Sequence, residues 1–486
     1  MQSPPHLLLL AIVMIGMIIR APLLSRTSLW FDEAASWDQS RGTLGELISS
    51  VAADNYPPLH NLLLWVFIHG FGEAEYVLRL PSLLAGILSI WLAYKVGEAL
   101  TDKGVGLATA LILACSPMEI WFSGEARMYT LFSATGLLFL LATLRALACP
   151  APGAALWSAL ATALFLHTHI YATFGVAGAG LGLAFMALLD PAGRRGILRL
   201  LLALIAGGAL YLPWGIILLG RARSVVHDGF WIAEPNWRVI QAIAIHLGGS
   251  KEAILLLLGF AALSFIALVR PQAKSDEGEP SAQAQKPLWP AALPLLLGYT
   301  LLPPLAGYLA SISLRPILYD RYLIATLPGL VLLACLGARA LLPRGGPLLL
   351  SALLLTVTIP TMTETVLERR KPEFRDLARQ YLAVIESSTD ASAAAQSNPV
   401  YASNRETALP FSYYVQDVTS VHYLKGVIPP GLELPARFWL VLSHVNQQEH
   451  DALLASVPAP YRRTFESSGW GYGHGGVTLI RFERRD

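Results

Sequence analysis

Two adjacent carboxylates, Asp32 and Glu33, follow Trp30 and Phe31 shortly after the first long apolar run of the chain. Such a pair can accept a proton, bind a cation, or stand solvated in a loop. Repulsion between neighbouring carboxylates suits one of them to proton acceptance near neutrality. A second polar cluster is Ser123-Gly124-Glu125-Ala126-Arg127-Met128-Tyr129, in which Glu125 and Arg127 either pair with each other or serve a ligand. A third is His167-Thr168-His169 beside Tyr171. Its spacing puts the two imidazoles on different faces of a helix, which argues against a zinc site. The fourth holds Arg315, Asp320, Arg321 and Tyr322. A guanidinium fork matches phosphate oxygens, and snorkelling at a membrane interface is the alternative. The fifth is the segment Arg221–Arg238 with Arg223, His227, Trp231 and Trp237, where tryptophan serves as interfacial anchor or stacks on sugar rings.

The elements that must position these groups are membrane spans. The chain is 54% hydrophobic and 14% charged, against about 25% charged in soluble domains, and its mean hydropathy is +0.52. Apolar runs long enough for a bilayer cover Leu7–Leu24, Leu80–Leu100, Gly104–Phe122, Met128–Leu147, Ala154–Leu189 (two spans divided near His169), Ile197–Gly220, Ala253–Val269, Leu288–Ile312, Leu323–Leu342 and Pro347–Val366. About 11 spans are expected from these runs. Leu7–Leu24 has neither the basic start nor the cleavage site of a signal peptide, so it is expected to be retained.

Lys and Arg in short connections set direction. Arg194, Arg195 and Arg199, then Arg270, Lys274 and Lys286, then Arg339 and Arg344 fall on one face under strict alternation, which makes that face cytoplasmic. All five polar clusters and the C-terminal tail then lie on the opposite face. Counting Pro57–Phe71 as a span would reverse every later loop, so it is read as an interfacial or re-entrant helix. Beyond Leu367 the pattern changes. Pro372–Ile385 reads as an amphipathic helix with Phe374, Leu377, Tyr381 and Ile385 on one face, while Phe438–Ser443 and Val477–Phe482 read as strands. The fold class expected is mainly α: a polytopic transmembrane domain over residues 1–366, with interfacial helices in 25–78, and a small α/β domain over 367–486 outside the membrane.

Several classes are disfavoured. A net charge of +2 gives no reason to invoke nucleic acid. Cys115, Cys149 and Cys335 show neither metal-ligand spacing nor a disulfide framework. No Walker loop occurs, nor a dinucleotide-binding glycine fingerprint opening a helix, so any energy source comes with the substrate or is not needed.

The order of the motifs carries a resemblance. Trp30-Phe31-Asp32-Glu33, Tyr56-Pro57-Pro58-Leu59, Arg79-Leu80-Pro81-Ser82 with Gly86, Ser123–Tyr129, Thr168-His169, Arg321-Tyr322-Leu323 with Pro328, and Lys371-Pro372 ahead of Phe374-Arg375 succeed one another. Together they resemble the GT-C superfamily of membrane glycosyltransferases, in its protein O-mannosyltransferase and lipid A aminoarabinose transferase branch. The resemblance implies an inverting transferase. It would move a sugar from a polyprenyl monophosphate to an acceptor at the outer face of a bacterial plasma membrane.

By the same resemblance Asp32 is the base, with Glu33 beside it as a catalytic-site carboxylate that orients sugar or acceptor. Arg79, Arg127, Arg321 and Tyr322 would receive the donor phosphate. Glu125, Tyr129, His169, Pro57, Pro58, His60 and Trp231 would contact sugar or acceptor, and the Pro57-Pro58 segment would shape the lipid entrance. Two positions depart from the branch: Tyr56 stands where His commonly precedes the proline pair, and Gly124 where Gln is common. A Gln amide at the second position could contact substrate, so its absence bears on which sugar is moved. Carboxylates can hold a divalent cation, but no ligand set commits the chain to a metal. Protein, polysaccharide and glycolipid acceptors all remain open. A transporter or flippase of lipid-linked sugars is the competing reading. It predicts mid-span charges and repeat-related halves, and the polar clusters sit instead at span ends.

Overall fold

The computed structural model describes residues 5–225, 232–265, 288–387, 398–416 and 420–485. They form two compact units that do not follow chain order. The first comprises Met1–Pro22, Thr43–Phe67 and Arg79–Glu368; the second comprises Leu23–Gly42, Ile68–Leu78 and Arg369–Asp486. Two pieces of the first polar loop therefore fold with the C-terminal region rather than with the helices that flank them.

The first unit is helical. Among the described residues eight helices are long and apolar enough to cross a bilayer, or ten if each of two bent pairs is one span. The chain is thus a multi-pass integral membrane protein. The difference from the expected eleven lies in the Pro152–Leu166 helix, whose 15 residues extend only about 22 Å at ~1.5 Å per residue. Leu59–Phe71 is likewise a short apolar helix.

The bent pairs have identifiable causes. The expected Gly104–Phe122 span is Lys103–Ala114 followed by Pro117–Ser123, turned by 59°. Pro117 occupies the first turn of the second piece, where proline is tolerated but cannot continue the preceding ladder. At the break, the carbonyls of Leu113 and Ala114 accept hydrogen bonds from the buried Arg20 guanidinium at 3.0 and 2.6 Å. The second pair, Trp237–Gly248 and Lys251–Leu263, turns by 82°. Gly249 at its corner has φ 87°, and Ser250 caps the second piece. Only part of the expected Ala253–Val269 span is therefore an independent apolar helix, and its end lies outside the described residues.

Close approach in the helical unit is set by small residues. A Cβ on Gly178 of the Ala172–Leu189 helix would collide with the carbonyl of Gly298 in Trp289–Ser313, and one on Gly298 with that of Gly178. Backbone-to-backbone packing of this kind compensates for the weak hydrophobic drive between helices in lipid.

The second unit contains a five-stranded sheet: β1 (Val400–Ala402), β2 (Val421–Tyr423), β3 (Arg437–Leu442), β4 (Tyr461–Gly469) and β5 (Val477–Arg484). Their order is β2-β1-β3-β5-β4. β1 pairs parallel with β2 and β3, while β5 pairs antiparallel with β3 and β4. β3 alternates between two cores: Trp439 and Val441 pack with Phe374, Leu377, Tyr381 and Phe411, whereas Phe438, Leu440 and Leu442 pack with Leu453, Ile480 and Phe482. Burial on both faces makes β3 read as a continuous apolar run. The amphipathic helix spans Phe374–Glu386 with Phe374, Leu377, Tyr381 and Ile385 buried.

Candidate functional site

In the helical unit the predicted residues converge on one aromatic cage. Tyr56 is held from two directions. Its carbonyl accepts from Trp214 Nε1 at 3.2 Å, and the Leu59 N–H that opens the next helix donates to the His167 carbonyl at 3.1 Å. Pro57 and Pro58 between them are buried. The Tyr56 and Tyr322 hydroxyls lie 3.3 Å apart. The Arg127 guanidinium sits 4.9 Å over the Tyr56 ring, and that of Arg321 lies 5.5 Å from the Tyr129 ring and 5.0 Å from that of Tyr319. Aromatic faces attract such cations.

His169 occupies the middle of this cage. Its ring stacks on Phe132 at 4.8 Å and lies 4.9 Å from Tyr322, 6.1 Å from Tyr56 and 6.2 Å from Tyr129. Nδ1 accepts from the Tyr171 N–H at 3.2 Å, which assigns the proton of the neutral ring to Nε2. That nitrogen is buried and has no partner among the described residues, as is Nε2 of His60. Burial, reinforced by Arg127 and Arg321, pushes His169 down to about 3. Burial together with Arg127 does the same to His60. Both imidazoles are therefore neutral at physiological pH.

Three hydrogen bonds fix the turn that delivers Arg127. Ser82 Oγ donates to the Arg127 carbonyl at 2.9 Å, Thr130 Oγ1 donates to the Ser82 carbonyl at 2.7 Å, and the Arg127 N–H donates to the Glu125 carbonyl at 2.8 Å. Arg79 and Glu125 are buried in the same unit. Behind the turn, Gly86 lets Ser123 approach, because a Cβ there would collide with Ser123 Oγ. That oxygen accepts from Arg20 Nε at 3.0 Å and donates to the Glu119 carbonyl at 2.6 Å. Asp320 orients its neighbour, since its Oδ1 accepts from the Arg321 N–H at 2.6 Å while Oδ2 meets His246 Nδ1 at 2.7 Å. Trp231 and His227 lie outside the described residues.

Asp32 and Glu33 belong to the second unit. They occupy the first turn of the Phe31–Ser40 helix, where the helix dipole favours negative charge. The two carboxylates then part company. Glu33 is fully buried against Lys371 Nζ at 2.6 Å, with side-chain exposures of 0% and 2%, whereas Asp32 is half-buried.

Several further contacts clamp the acidic helix. Ser28 Oγ donates to the Pro372 carbonyl at 2.8 Å, and the Leu29 N–H donates to the Tyr414 hydroxyl at 2.7 Å. Glu73 accepts from Trp37 Nε1 at 2.7 Å and from Gln416 Nε2 at 3.2 Å. Arg375 pairs with Glu75 and donates to the Thr27 carbonyl at 2.7 Å. Glu75 and Glu73 are thus consumed by structure.

Sequence reasoning missed three of these roles. Lys371 belonged to a recognised motif, but its partner is distant in sequence. Arg20 reads as an ordinary basic helix end. Glu119 lies within an expected span, a position where a charge signals a role, and its Oε1 accepts from Ser133 Oγ at 2.5 Å. Among the described residues no group of three or more His, Cys, Asp or Glu side chains is placed to hold a metal ion.

Residues 55–217 match the profile of the dolichyl-phosphate-mannose-protein mannosyltransferase family, about a third of the chain. The fold as a whole is that of ArnT from Cupriavidus metallidurans. Its apo structure aligns at 14% identity with a TM-score of 0.61, and its structure bound to undecaprenyl phosphate at 15% with the same score; each alignment covers 97% of both chains. The architecture is therefore an ArnT-like arrangement of membrane helices with a small sheet-bearing region. A search of curated protein sequences yields no significant match.

Proposed function

We propose that this protein is an inverting glycosyltransferase that takes a sugar from a polyprenyl-phosphate donor. The observation that carries the reading is the cage of the helical unit. Two guanidiniums, paired phenols and two neutral imidazoles with buried, unpartnered Nε2 atoms suit an anionic headgroup. The likeness to a fold whose ArnT representative binds undecaprenyl phosphate supports the same ligand class, as does the mannosyltransferase profile across residues 55–217.

In the reaction, Asp32 accepts the proton of an acceptor hydroxyl. The hydroxyl oxygen bonds to the anomeric carbon while that carbon's bond to the phosphate oxygen breaks, with inversion. Arg127, Arg321 and the Tyr56–Tyr322 hydroxyl pair stabilise the departing lipid phosphate, and Arg79 lends charge from within the same unit. Glu33, neutralised by Lys371, keeps the acidic helix in place, and Glu125 shapes the Arg127 turn. Lys and Arg in the opposite loops support placing this chemistry on the non-cytoplasmic face of a bacterial plasma membrane.

Polyprenyl-phosphate sugars, each radiolabelled and offered singly to the protein in proteoliposomes with an envelope extract as acceptor source, test this reading. The expected result is cleavage of one donor and label in the acceptor fraction. Intact donor crossing the bilayer without cleavage would establish a flippase instead.

A further inference from the structure

The hairpin loop joining β4 to β5 reads Gly469-Trp470-Gly471-Tyr472-Gly473-His474-Gly475-Gly476. Every ring-bearing residue is flanked by glycine, and Gly473, Gly475 and Gly476 take φ of 87, 74 and 67°. So much glycine costs chain entropy on ordering, and the loop is nevertheless pinned at both ends. At one end the Glu373 N–H donates to the Trp470 carbonyl at 2.9 Å, and Glu373 Oε2 accepts from the Trp470 N–H at 3.0 Å. At the other the His444 N–H donates to the Tyr472 carbonyl at 2.9 Å, and the His474 N–H to the Val445 carbonyl at 2.7 Å. Glu373 is two residues from Lys371, the partner of Glu33, so backbone bonds tie the loop to the segment that holds the acidic helix.

The rings form a chain toward the acidic pair. Trp470 lies 5.5 Å from Tyr472, which lies 5.3 Å from His444 and 6.5 Å from Trp30, the residue capping the Asp32 helix. Trp470 is 37% exposed and Tyr472 41%, so neither ring is spent on the core. His444 has φ 55°, uncommon for a residue other than glycine. Its Nδ1 is buried without a partner among the described residues. Burial lowers the basicity of this imidazole, while the charges of Glu406 and Asp32 act in the opposite direction.

Exposed aromatic faces take the C–H face of a pyranose ring, and carboxylates and imidazoles bond its hydroxyls. The geometry points to an acceptor subsite in which Trp470 and Tyr472 hold a saccharide ring of the acceptor beside Asp32, with Trp30 and His444 flanking it. The acceptor is on this account a carbohydrate-bearing molecule rather than a bare polypeptide. This inference rests on the transferase reading for its role, although saccharide binding can be measured without it.

Saturation-transfer NMR on the full-length protein in nanodiscs provides the test, with methyl α-D-mannopyranoside, methyl β-D-glucopyranoside and an unglycosylated Ser/Thr peptide as separate probes. Saturation should reach the ring protons of at least one glycoside. It should fall at least fivefold in Trp470→Ala/Tyr472→Ala and persist in Trp470→Phe/Tyr472→Phe. Unchanged glycoside signal in the double alanine variant, or saturation of the peptide alone, would overturn the proposal. If Asp32→Asn still transfers sugar while the double alanine variant loses glycoside binding, the base assignment fails and the subsite stands.

Discussion

The two compact units keep opposite kinds of polar chemistry out of water. In the helical unit, Arg127 and Arg321 rest on tyrosine faces around the His169 imidazole, and the Nε2 atoms of His169 and of the buried His60 have no partner among the described residues. That arrangement is the one proposed to receive an anionic headgroup. In the sheet-bearing unit, Glu33 meets Lys371, Glu75 meets Arg375, and Glu73 is bonded to Trp37 and Gln416. Its carboxylates are satisfied one after another by structure. Asp32 is half-buried beside the fully buried Glu33, so neighbours alike in chemistry stand in different surroundings, and the proposed division of labour gives Glu33 the scaffold and Asp32 the proton.

That contrast can be broken experimentally. Lys371→Met removes the cation of a buried pair and should destabilise the protein by about 3–5 kcal/mol, read as a lower thermal midpoint of the purified protein. Lys371→Met combined with Glu33→Leu should recover most of that loss, and an unshifted midpoint in the single variant would contradict a structural role for the pair. In the helical unit the corresponding losses should fall on activity instead. Arg127→Ala and Arg321→Ala should each lower transfer by roughly 10²–10³-fold, about 3–4 kcal/mol of transition-state stabilisation, with smaller changes in melting. Lysine replacements should recover only part of it, because the planar fork is lost. The smallest effect belongs to Gly86→Ala, where displacement of Ser123 and its bond to Arg20 should cost about 1–3 kcal/mol, seen as reduced thermal stability.

Much of this was legible in the sequence, for physical reasons. Apolar runs report spans because lipid leaves the backbone few alternatives, and the period of Phe374, Leu377, Tyr381 and Ile385 reported the buried face of one helix. β3 and β5 were readable because they are apolar on both faces. β1 and β2, at three residues each, and the polar β4 offered no such pattern. Among the candidate residues, Arg127, Arg321, Tyr322, Tyr129 and His169 stood out by type and position and His60 only through the resemblance, and all of them fall in one unit. The pairing of Glu33 with Lys371 could not be read, because a contact across 338 residues leaves no local trace. The grouping of residues 23–42 and 68–78 with the C-terminal region was equally hidden, since it depends on Arg375, Tyr413 and Tyr414 reaching back to Glu73, Glu75 and Thr27.

The central claim is that Asp32 takes the acceptor proton. Asp32→Asn keeps the shape of the side chain and removes its capacity as a base. Measured with the donor that the wild-type protein cleaves, this variant should transfer sugar on the order of 10²–10⁴-fold more slowly with an unchanged melting temperature. Transfer at the wild-type rate by a folded Asp32→Asn protein would contradict the account.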